Sequence, residues 1–205
     1  MIPLKISKEE VNALDIGAFR GDIILIDSAG MLNDAAKELR KFNYIGFDTE
    51  TRPAFKKGTF HQVSLLQLAT PDVAFLLRLN QLGLPIMIQQ ILEDPQIVKI
   101  GAAVRDDLKA LRKLVPTFSP SSFFDLNEEL KRIGFLNVGV RNLSAMVLNI
   151  RISKSEQVSN WEGEKLTEKQ KLYAATDAWA CLEIFSELNK KGYLEDLLTD
   201  PGWSE

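Results

Sequence analysis

The chain is expected to fold as a single α/β domain, a mixed β-sheet flanked by helices. Three observations predict this. Short apolar runs with only partial alternation, Val63-Ser64-Leu65-Leu66-Gln67-Leu68-Ala69 foremost, read as strands buried on both faces. From about residue 84 onward, segments of helical periodicity alternate with a further strand, the pattern of a sheet layered by helices. No repeat, low-complexity tract or Pro/Gly/Ser linker interrupts the 205 residues, a length that suits one domain with a full core.

Residues 7–20 read as a short helical arm and Asp22–Ile26 as a strand. Ser28–Lys41 places Leu32, Ala35, Ala36 and Leu39 on one helical stripe. Strands are expected over Tyr44–Glu50, Gln62–Ala69 and Val73–Leu79, a helix over Leu84–Leu92, and a short strand over Ile97–Gly101. Helices follow at about 104–114, 125–133, 142–150 and 167–190, the last opened by the capping-box pattern Thr167-Glu168-Lys169-Gln170. Residues 1–20 are thus an N-terminal arm, 21–195 the folded body and 196–205 a C-terminal tail.

An apolar share of 45% with 26% charged residues is ordinary for a globular protein, and no apolar run reaches the length of a membrane span. Cys181 is the only cysteine, and Met-Ile-Pro-Leu-Lys-Ile-Ser-Lys-Glu-Glu has no signal-peptide core. An intracellular, cytoplasmic protein without disulfides or structural zinc is expected. A formal net charge of −3 disfavours a nucleic-acid binder that works by a basic surface, but not an enzyme whose bound cations supply the positive field. Nothing in the sequence sets an oligomeric state.

The candidate chemistry lies in the acids. Asp48 and Glu50 end the apolar strand Tyr44-Ile45-Gly46-Phe47, one residue apart, so both project from one face. Like charges there need a cation, and carboxylate oxygens suit Mg²⁺ or Mn²⁺. A strand end turning into a solvated loop fits the same residues. Asp106-Asp107 opens a helix whose apolar stripe is Val104, Leu108, Leu111 and Val115. At about 100° per residue, Asp107 lies within roughly 45° of the stripe's centre, whereas Asp106 points away with Lys109 and Lys113. In the last helix Tyr173 and Asp177 stand one turn apart, beside a stripe of Leu172, Ala175, Trp179, Leu182 and Phe185.

Asp-x-Glu on a strand, Asp on a central helix and Tyr-x-x-x-Asp on a late helix resemble, in that order, the DEDD superfamily of 3′–5′ exonucleases, in its tyrosine subgroup. Phe47-Asp48-Thr49-Glu50 matches the first motif, and Lys99-Ile100-Gly101 with Asp107 the second. Ser159-Asn160-Trp161 followed by Leu166–Ala178 matches the third, and is similar to the Werner-syndrome helicase exonuclease domain and, more distantly, to ribonuclease D. The resemblance implies a ribonuclease H-like fold and a metal-dependent exonuclease cutting from the 3′ end of DNA or RNA to release nucleoside 5′-monophosphates. It implies metal ligands Asp48, Glu50, Asp107 and Asp177 for two divalent ions, Mg²⁺ or Mn²⁺, with Tyr173 orienting the attacking water. Too little chain follows residue 190 for a helicase or a ribonuclease D-type helical domain, so a free-standing nuclease domain is expected.

Substrate contacts are less constrained. Thr49 sits between the two acids, and no acid falls between Glu50 and Asp72, where Arg52, Lys56, Lys57 and His61 cluster. Arg52, Phe60 and His61 are candidates to contact phosphate or stack on a terminal base. Phe60 and His61 equally suit packing at a strand edge. Trp161 is expected to pack beneath the third motif, and Lys154, Lys165 and Lys171 to form a mixed solvated face with Glu156, Glu162 and Glu164. Two other readings use the same residues: a catalytically silent relative that binds nucleic acid or protein, and a metal-dependent nucleotidase.

Overall fold

The computed structural model describes residues 1–56 and 58–198. Most of the expected tail, 199–205, lies outside them. The arm opens with a capping box at α1 (Lys8–Ala13), where the Ser7 hydroxyl accepts from the Glu10 amide and the Glu10 carboxylate accepts from the Ser7 amide. The helix expected over 7–20 ends at Ala13. Beyond it the chain runs along the body: Ile16 bridges in parallel to Arg151, Phe19 is buried, and its amide donates to Thr176 Oγ1 at 3.1 Å.

The sheet comprises β1 (Asp22–Ile26), β2 (Tyr44–Thr51), β3 (Val63–Ala69), β4 (Val73–Arg78), β5 (Val98–Gly101) and β6 (Phe123–Asp125). Their spatial order is β1-β4-β3-β2-β5-β6, with β3 antiparallel to both neighbours and the other pairs parallel. β3 is buried along its whole length, as its unbroken apolar run predicts. β6 has no signature in the sequence. Three residues carry no usable periodicity, and Asp125 reads as the start of the helix that follows.

Helices cover both faces. Phe47, Leu66, Leu68, Phe75 and Leu77 share a core with α2 (Leu32–Leu39), α4 (Ile86–Glu93) and α5 (Arg105–Leu114). Leu65, Ala69, Ala74 and Leu76 pack on the other face with Trp161, Leu166 and α8 (Glu168–Lys190). Two short helices, α3 (Leu79–Leu82) and α9 (Glu195–Leu198), were not expected, and α6 (Leu126–Arg132) matches its expected place. The helix expected over 142–150 is α7 (Val140–Leu143) running into a single π-helical turn, Ser144–Leu148, stopped by Asn149 in the left-handed region at φ 55°.

Helix α8 begins as its capping box predicts, with Thr167 and Gln170 satisfying each other's amides. Its buried side is shifted from the expected stripe. Leu172 is exposed, and the face against the sheet is Ala174, Ala175, Ala178, Cys181, Leu182 and Phe185. The alanines let the helix approach closely, and β2 answers with Gly46. A Cβ at Gly46 would lie 2.0 Å from the carbonyl oxygen of Ala178, a backbone atom that cannot swing aside. Asp177 precedes Ala178 and Asp48 follows Gly46 by two, so this contact sets the spacing of two acids. Gly46→Ala is expected to lower stability by about 2–3 kcal/mol, the cost of overpacking a tight contact, read by denaturant titration.

Candidate active site

Three carboxylates meet where β2 emerges beneath α8. Asp48, Glu50 and Asp177 each bring one carboxylate oxygen within 4.8 Å of the others. Alternation along β2 points Gly46, Asp48 and Glu50 toward α8, while Phe47 and Thr49 face the α5 side. The ladder register slips between Glu50 and Thr51, so the strand departs from β3 just past the second acid. Gln67, directly across from Asp48, is fully buried with neither amide atom partnered among the described residues.

Asp107 comes from the opposite face. It lies in the first turn of α5, and the Thr49 hydroxyl donates to its Oδ1. Asp106 points to solvent and pairs with Lys109 at 2.7 Å, as the helix phase predicts. The turn that starts α5 is held by Asp125, which no pattern in the sequence singles out. Its two carboxylate oxygens accept from the amides of Ala103 and Val104 at 2.9 Å, and it also caps α6 through Asn127. Lys99, the lysine of the second motif, is a buried strut that takes no part in the acid cluster. Its ammonium donates to the carbonyls of Asp94 and Ile97 at 2.8 and 2.6 Å and lies 5.2 Å from the Phe123 ring centre; burial pushes its pKa down to about 8.

Burial raises the pKa of all four acids, and for Asp48 and Glu50 the charges of their neighbours add to it. Burial, then the charges of Asp177, Glu50 and Asp107, holds Asp48 well above the usual carboxylate range. Burial, followed by Asp177 and Asp107, pushes Glu50 up to about 9. Asp107 is pushed up to about 6, burial outweighing its hydrogen bond to Thr49. Asp177 is raised by burial, against the Tyr173 hydroxyl and the charge of Lys154. Lys154 is exposed, as expected, and its charge still reaches Asp177. Tyr173 is raised by burial and by Asp177, so its phenol stays protonated and is aimed at the Asp177 carboxylate one turn on. Beneath it packs Trp161, fully buried, with ring centres 6.0 Å apart, the packing role expected of it.

Hard oxygen donors crowded against their own repulsion fit a small divalent cation. The residues therefore suit the metal that the motifs imply.

The expected substrate contacts are placed differently from one another. Thr49 spends its hydroxyl on Asp107. Arg52 and His61 converge on Glu162, at 3.1 and 2.9 Å. Phe60 is 91% exposed, so it is not packed at a strand edge, and Phe55, nearby in sequence and not among the expected contacts, is 83% exposed. Glu162 sits on a strap bolted to the body by Arg78, a buried guanidinium that donates to the carbonyls of Gly163 and Glu164 at 2.6 and 3.4 Å. No periodicity announces either residue, since both act on distant parts of the chain.

A ribonuclease H-like sheet with three clustered acids, a fourth at the strand's other face and a tyrosine one turn before the last acid defines a hydrolase domain of the DEDD exonuclease type. A family described as 3′–5′ exonuclease matches residues 23–192, and the chain belongs to it. It is 31% identical to the bifunctional 3′–5′ exonuclease/ATP-dependent helicase WRN of Mus musculus, over 81% of this chain and 12% of that protein. The crystal structure of the Aedes aegypti Nibbler EXO domain superposes with a TM-score of 0.76 at 26% identity, covering 91% of this chain and 96% of that one. Escherichia coli RNase D shares the fold, with a TM-score of 0.72 at 24% identity over 90% of this chain and 51% of its own. The chain spans less than half the length of the curated relatives it matches. Among the described residues no helix is long and apolar enough to cross a membrane.

Proposed function

We propose that this chain is a metal-dependent 3′–5′ exonuclease, hydrolysing phosphodiester bonds from the 3′ end of DNA or RNA to nucleoside 5′-monophosphates. The observation that carries the reading is the convergence of Asp48, Glu50 and Asp177, with Tyr173 one helical turn before Asp177. Asp48, Glu50 and Asp177, with Asp107 at the edge, would hold two divalent ions, Mg²⁺ or Mn²⁺. When bound, such ions lower the pKa of water and neutralise charge on the phosphoryl group and the leaving oxygen. The protein's own contribution is orientation. The Tyr173 phenol keeps its proton and serves as a donor near Asp177, placing water rather than deprotonating it. Thr49 fixes the rotamer of Asp107. Phe60 offers an exposed ring for a base, whereas Arg52 and His61 are engaged by Glu162 and would meet phosphate only by exchanging that carboxylate for it. A cytoplasmic setting fits the single, buried Cys181.

Strands labelled at either end test the reading. A 5′ label should yield a ladder shortening from the 3′ end, and a 3′-terminal label should appear first as a mononucleotide 5′-phosphate. Internal cuts, or attack on mononucleotides alone, would overturn it.

Tyr173→Phe keeps the ring over Trp161 and removes only the hydroxyl. Its kcat is expected to fall by about 10- to 1,000-fold with little change in KM, in the range of single positioning contacts. A steady-state comparison on one strand decides it; an unchanged kcat reduces Tyr173 to a packing residue.

A further inference from the structure

Two basic side chains, the half-buried Arg141 and the exposed Lys154, border the acids. Arg141, in α7, and Lys154, two residues after the buried Ile152, line a cavity of about 230 Å³ together with Asn142, Gln157, Tyr173 and Asp177. Asp177 belongs both to this cavity and to the carboxylate cluster, so the cavity opens one side chain away from the acids. Neither base is ion-paired with a carboxylate among the described residues. Arg141 makes one side-chain bond, Nη2 to Asn12 Oδ1 at 2.7 Å, which leaves most of its donors free. By contrast, Arg52 and His61 are already held by Glu162.

Free guanidinium and ammonium donors around a polar cavity match a phosphodiester, whose oxygens accept charge-assisted hydrogen bonds. A strand entering a site where one phosphate is cut must also lodge the next phosphate, and the carboxylates repel it. A cavity sharing Asp177 with the acids and lined by two basic side chains, Arg141 and Lys154, relieves that repulsion. We propose that the cavity binds the phosphate one linkage inside the bond being cut, with Lys154 and Arg141 as its ligands. This rests on the exonuclease reading and adds to it a subsite that needs at least two linkages at the 3′ end.

The test measures equilibrium binding of a 5′-fluorescent single strand, by anisotropy, in an Asp48→Asn background that does not turn over. Hydrolysis of the same strand by the wild-type protein reports separately on the exonuclease reading. Lys154→Gln and Arg141→Gln should each weaken binding by about 3- to 10-fold and lower the slope of log K against log salt by about 0.7, the value for one phosphate contact on a single strand. An uncharged methylphosphonate at the second linkage from the 3′ end should cost the parent protein the same amount and cost the Lys154→Gln variant nothing further. Lys154→Arg should restore most of the affinity. Wild-type affinity and salt slope in both glutamine variants would overturn the proposal, as would losses that add in full to the methylphosphonate effect. So would variants that bind the strand normally but lose inhibition by a nucleoside 5′-monophosphate, because the cavity would then hold the product's phosphate.

Discussion

Asp48→Asn and Asp177→Asn are each expected to lower kcat by at least about 10³-fold, and to do so in a protein that is folded and, at alkaline pH, harder to melt. The loss follows from geometry, since each residue supplies one of three oxygens lying within 4.8 Å of one another. The gain in stability follows from linkage. With no cation bound, Glu50 titrates near 9 and Asp48 and Asp177 also lie above the carboxylate range, whereas in the unfolded chain all titrate near 4. Between those limits the folded state holds protons that the unfolded state releases. Its stability is therefore full below about pH 4 and falls as pH rises toward 9. Replacing either aspartate removes part of that penalty. In chelator, the wild-type melting temperature should drop by roughly 5–10 °C between pH 5 and pH 9, and by clearly less in the variants. Thermal melts at the two pH values, beside turnover assays, check both halves. A variant that melts as the wild type does at both would show that the acids are not in conflict.

Asp107→Asn should remove most of the turnover, while Asp106→Asn should behave nearly as the wild type. Asp107 is pushed up to about 6 by burial and is gripped by Thr49, so it is held in a fixed position at the edge of the cluster. Asp106 is solvent-facing and bound only to Lys109, an exposed pair worth little. Thr49→Val, which frees the Asp107 carboxylate without removing it, should fall between them, about 10- to 100-fold down in kcat, as for other residues that orient a ligand. Parallel kcat measurements on the three variants decide the register of the second motif. The reverse order for Asp106 and Asp107 would shift it by one residue.

The acids were legible because each sits on an element whose period is visible. A repeat of two puts Asp48 and Glu50 on one face, and a repeat of 3.6 separates Asp107 from Asp106 and stacks Tyr173 beneath Asp177. Legibility ended where side chains depend on chain path rather than period. Lys154 lies in a loop, and only the folded route from Arg141 to α8 turns it toward Asp177. Glu162 reaches across to Arg52 and His61, residues about a hundred positions earlier, and Asp125 serves two helices from the end of a three-residue strand. The buried face of α8 keeps Ala175, Leu182 and Phe185 of the expected stripe but turns away from Leu172 toward alanines. They carry little hydrophobic signal yet are what permit contact with Gly46.

Carboxylates that work by holding divalent cations should leave the protein inert without them. Digestion of a 5′-labelled strand by the wild-type protein, in excess chelator and after Mg²⁺ or Mn²⁺ is restored, measures this dependence. No shortening is expected in chelator and a 3′-end ladder on adding either metal, with a rise in melting temperature at alkaline pH as the ion quenches the repulsion among Asp48, Glu50 and Asp177. Undiminished shortening in excess chelator would contradict it.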